Sequence, residues 1–215
     1  MPQTEDHPAL QRIAQIRIVP VLAVDDLADA APLGEALAAG GLPIAEVTFR
    51  TAAAEASIRT MAKQPGLLVG AGTVLNPDTA KVAVDAGAKF IVSPGFNPKT
   101  VRWCVDHGVP IIPGCSTPTD LEAALDHGVT LVKFFPAEAL GGLNMLKAMS
   151  APFSMFRFMP TGGITPQNVA DYLRFPKIVA CGGSWIATKE LLAAKNFARI
   201  AELSREAANL VRQAL

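Results

Sequence analysis

The feature that most constrains this 215-residue chain is a unit that recurs along it: a short apolar run, a break rich in Gly and Pro, an amphipathic stretch, a glycine, then the next apolar run. The apolar runs fall at residues 18–24, 44–49, 67–71, 90–92, 110–112, 131–135, 157–159 and 178–181. Between them, Ala, Leu and Val recur at helical spacing, for example over residues 79–85, 119–126 and 143–149. Eight strands, each followed by a helix, predict parallel βα units. Parallel strands need a crossover, and the crossover helices bury both faces of the sheet.

The helix punctuation agrees with that count. Asn76-Pro77, Asn97-Pro98, Thr117-Pro118 and Thr165-Pro166 each pair a capping side chain with a proline. The cap accepts an orphan N–H, and the proline lacks one that would go unpaired anyway. Gly40-Gly41, Gly87, Gly108 and Gly128 are expected to stop helices in the left-handed conformation. Two endings are near copies, Asp106-His107-Gly108-Val109 and Asp126-His127-Gly128-Val129. Their histidines are read as helix C-terminal groups rather than catalytic ones.

Eight βα units can close into a barrel or form an open doubly wound sheet. The latter would want GxGxxG after its first strand, where this chain has Asp25-Asp26-Leu27. Instead, paired glycines follow the seventh and eighth strands, in Thr161-Gly162-Gly163 and Gly182-Gly183-Ser184. Barrels commonly bind phosphate there, on backbone N–H groups. The expectation is α/β, a (β/α)8 TIM barrel, as one domain over 1–215 with a short helical or extended lead-in over about 1–16.

Composition narrows the function. Nineteen Lys and Arg balance nineteen Asp and Glu, so there is no basic footprint for nucleic acid. Half the residues are hydrophobic, which argues against disorder. No run of about 18 apolar residues suggests a membrane span, and the polar start, Met1 to Pro8, lacks the layout of a secretory signal. Three separated cysteines (Cys104, Cys115, Cys181) and three histidines without an HxxxH pattern point to no disulfide framework and no metal site.

The charges placed on strands stand out. In Ile44-Ala45-Glu46-Val47-Thr48-Phe49-Arg50, alternation puts Ala45, Val47 and Phe49 on one face. Glu46, Thr48 and Arg50 share the other, which would point into the barrel. A structural Glu46–Arg50 pair explains this as readily as a functional role. Lys133, alone among apolar neighbours in Leu131-Val132-Lys133-Phe134-Phe135-Pro136, is either a snorkelling lysine or a desolvated amine able to attack a carbonyl. An inward amine, carboxylate and guanidinium beside a phosphate cradle suit a substrate with a carbonyl, a carboxylate and a phosphate. The matching chemistry is imine formation, then carbon–carbon cleavage.

The chain resembles the 2-keto-3-deoxy-6-phosphogluconate (KDPG) and 4-hydroxy-2-oxoglutarate (KHG) aldolases, class I aldolases, from about Ile18 to Ala214. The matching stretches are Glu46-Val47-Thr48-Phe49-Arg50, Gly70-Ala71-Gly72-Thr73-Val74, Ser93-Pro94-Gly95 and Pro113-Gly114-Cys115-Ser116-Thr117. They continue with Lys133-Phe134-Phe135-Pro136-Ala137-Glu138, Pro160-Thr161-Gly162-Gly163-Ile164 and Gly182-Gly183-Ser184-Trp185. The resemblance implies Lys133 as the Schiff-base lysine and Glu46 as general acid/base. It implies Arg50 as the carboxylate clamp, Thr73 as a second pyruvyl contact, and Gly162, Gly163, Gly183 and Ser184 as the phosphate cradle. It further implies a cofactor-free, metal-free cytoplasmic lyase, a homotrimer whose ligands are a phosphorylated keto acid and pyruvate. Glu138 is a tempting second carboxylate, with a loop or subunit-contact role as easy, and Phe96 at the barrel mouth is expected to narrow the site. The oxoglutarate or galactonate-derived substrates, and a non-catalytic sugar-phosphate-binding barrel, are the other readings.

Overall fold

The computed structural model describes residues 7–214. The first six positions of the expected lead-in lie outside the described residues. Eight strands alternate with helices: β1 (Ile18–Leu22), β2 (Ile44–Thr48), β3 (Leu68–Gly72), β4 (Ile91–Val92), β5 (Ile111–Ile112), β6 (Leu131–Phe134), β7 (Arg157–Pro160) and β8 (Cys181–Gly183). The helices are α1 (Pro8–Ile16), α2 (Ala30–Ala39), α3 (Ala54–Met61), α4 (Pro77–Asp85), α5 (Pro98–Asp106), α6 (Pro118–Asp126), α7 (Gly142–Ser150), α8 (Val169–Leu173), α9 (Lys189–Ala193) and α10 (Phe197–Ala214).

All strand pairings are parallel, in the order β5-β4-β3-β2-β1-β8, with β6 beside β7. Single bridges close the ring, Gly114 to Lys133 between β5 and β6, and Thr161 to Gly182 between β7 and β8. The result is a (β/α)8 barrel. Ala45, Val47 and Phe49 on β2 and its end pack outward with helix residues such as Leu33, Leu37 and Ile58. A second apolar cluster fills the interior. It gathers Val19, Ile44, Phe90, Ile112, Leu131 and Met159, and Leu10 and Ile13 of α1 pack into it. That layer matters for the site. Period-two alternation places Glu46 two residues beyond Ile44, and Lys133 two beyond Leu131, so both charges sit one layer above an apolar floor.

The caps form as the sequence predicts at three of the four Asn/Thr-Pro pairs. Asn76 accepts from Thr79 N, Asn97 from Lys99 N, and Thr117 forms a full capping box with Asp120. The fourth does not open a helix. Thr165 N donates to Asn168 Oδ1, which closes a turn, and α8 starts only at Val169 with Asn168 as its cap residue. At the helix ends Gly41, not Gly40, takes the positive φ, as do Gly87, Gly108 and Gly128. His107 and His127 each donate Nδ1–H to a carbonyl of their own helix, Trp103 O at 2.7 Å and Ala123 O at 2.8 Å. Hydrogen bonds to carbonyls of the last helical turn, rather than charge alone, therefore explain them.

Strand β8 is shifted from expectation. The Ile178–Cys181 run reads as strand because of its side chains, yet Ile178 makes only an isolated bridge to Phe158. The ladder to β1 begins at Cys181, opposite Ile18, and continues through Gly182 and Gly183. Available pairing partners, not residue preference, decide where this strand lies.

Candidate active site

A cavity of about 280 Å³ opens among the strand ends, and Glu46, Arg50, Thr73, Lys133, Gly162, Gly163 and Ser184 all line it. Lys133 is 6% exposed and Glu46 is fully buried. The Lys133 Nζ lies 3.6 Å from Glu46 Oε1 and 5.1 Å from the centre of the Phe135 ring. Glu46 thus faces Lys133, not Arg50.

Energetics argue against a purely structural purpose for this pair. At an effective dielectric near 20, two unit charges at this separation attract by about 5 kcal/mol. Removing each ion from water costs several kcal/mol, so the two terms roughly cancel. Neither Glu46 carboxylate oxygen has a hydrogen-bond partner among the described residues. A buried carboxylate with its acceptor positions free, beside a buried amine and facing a cavity, is equipped to accept and return protons.

Local backbone makes room for it. Gly72 of β3 is paired with Thr48 of β2. A Cβ on Gly72 would fall 2.2 Å from Glu46 Oε1, so only glycine admits the carboxylate in this place. Thr73 follows at φ 56°, a left-handed conformation that a β-branched residue adopts at a cost of order 1–3 kcal/mol. The strain sits at the cavity wall, where Thr73 presents itself.

Arg50 is anchored through a relay. Its Nε donates to Thr48 Oγ1 at 3.0 Å, and the Thr48 hydroxyl donates to Leu22 O at 2.7 Å. The guanidinium makes no ion pair among the described residues. Its remaining donors suit a planar carboxylate, which matches their fork geometry. Across the cavity, Gly162 and Gly163 have φ of 95° and 80°, values that favour glycine. Their turn is fastened at its carbonyls, with Glu138 N donating to Gly162 O and Asn168 Nδ2 to Gly163 O.

Three residues weighed in the sequence lie off the cavity lining. Gly183 does not line the cavity, and a Cβ there would strike the Trp185 ring, so its smallness serves packing. Phe96 meets the His127 ring edge-on at 5.4 Å and is not among the residues that line the cavity. Glu138 is exposed and accepts a hydrogen bond from Tyr172 OH outside the cavity. Burial, and then the Glu138 carboxylate, raise the Tyr172 phenol well above its ordinary range.

The structure adds wall residues that sequence reasoning did not single out, among them Val21, Pro94, Phe135 and Thr161. Phe135 and Thr161 were accessible by alternation, two residues beyond Lys133 and Met159. Thr161 Oγ1 is buried without a hydrogen-bond partner among the described residues, a donor at the wall.

A family model described as KDPG and KHG aldolase matches residues 10–203. The 2-dehydro-3-deoxy-phosphogluconate aldolase of Treponema pallidum is 45% identical over 202 residues, covering 94% of this chain and 96% of its own. Among solved structures, the KDPG aldolase of Zymomonas mobilis ZM4 with 3-phosphoglycerate superposes with a TM-score of 0.89. It is 41% identical and covers 98% of this chain and 99% of its own. The KDPG aldolase of Legionella pneumophila, with pyruvate captured as a covalent carbinolamine intermediate, also has a TM-score of 0.89. It is 38% identical and covers 94% of this chain and 98% of its own.

Proposed function

This chain belongs to the KDPG and KHG aldolase family and is a carbon–carbon lyase, and from that premise we propose that it cleaves 2-dehydro-3-deoxy-6-phosphogluconate to pyruvate and glyceraldehyde 3-phosphate through an imine on Lys133. The observation that carries this reading is the 3.6 Å approach, in one cavity, of the buried Lys133 amine to the Glu46 carboxylate, whose oxygens accept no hydrogen bond among the described residues.

Glu46 takes a proton from Lys133, and the freed amine attacks the C2 carbonyl, its nitrogen passing a second proton to the carbonyl oxygen to form a carbinolamine. Glu46 returns a proton to the departing hydroxyl, and water leaves to give the iminium. Glu46 then takes the proton of the C4 hydroxyl. The C3–C4 bond breaks, its electrons flow into the iminium, and glyceraldehyde 3-phosphate departs from an enamine. Protonation at C3 and hydrolysis release pyruvate and the free lysine. Arg50 and Thr73 hold the pyruvyl carboxylate, and the Gly162–Gly163 turn with Ser184 receives the phosphate. Gly183 supports that cradle by making room for Trp185.

The whole chain is read as one barrel domain with its lead-in. Family membership supports a homotrimer in the cytoplasm, which light scattering and fractionation test. Among the described residues no helix is long and apolar enough to cross a membrane. Borohydride added with pyruvate should leave a reduced adduct on Lys133, read by peptide mass spectrometry. An unmodified Lys133 in active enzyme would sink the mechanism. Because the matched family spans KDPG and KHG aldolases, specificity constants should be compared on both substrates. The Gly162–Gly163 turn favours the phosphorylated one.

A further inference from the structure

The Gly162–Gly163 turn is exposed to the cavity on one side, and on the other it rests on a side chain that the mechanism does not use. A Cβ placed on Gly163 would lie 2.6 Å from both Cβ and Cγ of Glu138. The Glu138 side chain is therefore packed directly against the turn. Its own backbone N–H holds Gly162 O at 3.1 Å, and the preceding Ala137 N holds Thr161 O at 2.8 Å. Its carboxylate accepts from Tyr172 OH. A Cβ on Gly142 would fall 2.8 Å from both Glu138 Oε1 and that hydroxyl, so the pair is enclosed from a third side.

Glu138 and Tyr172 line an outer groove and not the cavity. The contact is mechanical: the Glu138 side chain fills the space behind Gly163, so where it is held decides how the turn faces the cavity. Tyr172 is 2% exposed, at the base of that groove, and its hydroxyl fixes where the carboxylate stays.

We propose that Tyr172 is a positioning residue for the phosphate-binding turn: it keeps the Glu138 carboxylate in the outer groove, bracing Gly163 open to phosphate. The inference rests on the reading of Gly162 and Gly163 as the phosphate cradle. Tyr172 touches no substrate. Burial and the neighbouring carboxylate keep its phenol protonated through the neutral range, so it remains a donor.

Tyr172→Phe retains the packed ring and removes only the hydroxyl. The expected result is a rise of about tenfold in KM for the phosphorylated substrate, equivalent to about 1.4 kcal/mol, with kcat little changed. The concentration of pyruvate needed for borohydride trapping should not move, because that half of the site lies on other strands. Inhibition by inorganic phosphate should weaken by about the same factor, since it reports the cradle alone. Glu138→Ala should reproduce the defect, and Glu138→Gln, which keeps the acceptor oxygen, should restore most of it. Because Glu138 is exposed, these two variants carry the test if Tyr172→Phe fails to fold.

An unchanged KM and unchanged phosphate inhibition in Tyr172→Phe would overturn the proposal. An equal weakening of pyruvate trapping would overturn it too, as a sign of general damage to the barrel. If inorganic phosphate does not compete with substrate even in the unaltered enzyme, the cradle reading itself fails and the inference with it. Competition that is present but insensitive to Tyr172→Phe leaves the cradle standing and removes only the role of Tyr172.

Discussion

Gly72→Ala tests the catalytic geometry with a single added methyl group. Gly72 has an ordinary negative-φ strand backbone, so alanine suffers no conformational strain there. The whole effect is steric. The new Cβ would lie 2.2 Å from Glu46 Oε1, 2.8 Å from Cγ and 2.9 Å from Cδ. Ordinary contact needs about 3.5 Å, so the carboxylate must retreat by about 1 Å. It cannot do so freely, because Glu46 is fully buried and its nearest charged neighbour, Lys133, is only 3.6 Å away. A misplacement of about 1 Å at a reacting group costs on the order of 100-fold in rate, or about 2.7 kcal/mol of transition-state stabilisation. Overpacking should also lower folding stability by about 1–3 kcal/mol. Pyruvate release would be followed with lactate dehydrogenase, and folding by circular dichroism. Gly95→Ala is the control, since a Cβ there meets nothing within 4 Å. A folded Gly72→Ala enzyme with the kcat/KM of the parent would refute the idea that the Glu46 position governs the reaction.

Two further outcomes follow from charges and thiols outside the cavity. Lys195 bonds Asp26 and Asp29, which lowers the Asp26 carboxyl and raises the Lys195 ammonium from their ordinary ranges. A depressed carboxyl contributes stability above its unfolded-state pKa and loses it as pH falls through the folded-state value. The raised ammonium contributes below its unfolded-state pKa and loses it as pH climbs through the higher folded-state one. Lys195→Met should therefore lower the urea midpoint at neutral pH, with the difference from the parent shrinking at both the acid and the alkaline ends. A difference constant across pH would remove the electrostatic explanation. Burial pushes the thiols of Cys104 and Cys181 up to about 12, and raises Cys115 further still. Native enzyme should therefore resist iodoacetamide at pH 8, whereas urea-unfolded chain should be alkylated at all three positions. Rapid labelling of folded protein would show that one of these side chains is accessible.

The sequence showed the local parts of this molecule because their causes are local. Asn76, Asn97 and Thr117 cap helices through atoms two or three residues away. The alternation in β2 assigned Glu46, Thr48 and Arg50 to the cavity side and Val47 to the outer core. Reading failed where a distant partner overrode a local preference. Ile178 and Val179 have strand-forming side chains, but β1 offers its ladder only from Cys181 onward. Thr165-Pro166 has the composition of a helix start, yet Asn168 takes Thr165 N into a turn. Phe96 follows a Pro-Gly pair that suggested the mouth, and the His127 ring holds it elsewhere. Thr161 belongs to the Pro160-Thr161-Gly162-Gly163-Ile164 stretch, but nothing in the chain could show that its hydroxyl has no hydrogen-bond partner among the described residues.

What the sequence determined by itself was the direction of side chains: which residues of β2 face inward, which glycines can turn left-handed, and that a carboxylate and a guanidinium share the inward face of that strand. Side-chain direction follows from backbone period, a property of a few consecutive residues. Only the tertiary structure decided that Lys133 of β6 and Glu46 of β2 meet at 3.6 Å, that Glu46 pairs with Lys133 and not Arg50, and that Gly72 is the residue making room. Those distances depend on the stagger of eight strands around a closed ring. Stagger is set by pairings between segments far apart in the chain, which no local pattern encodes.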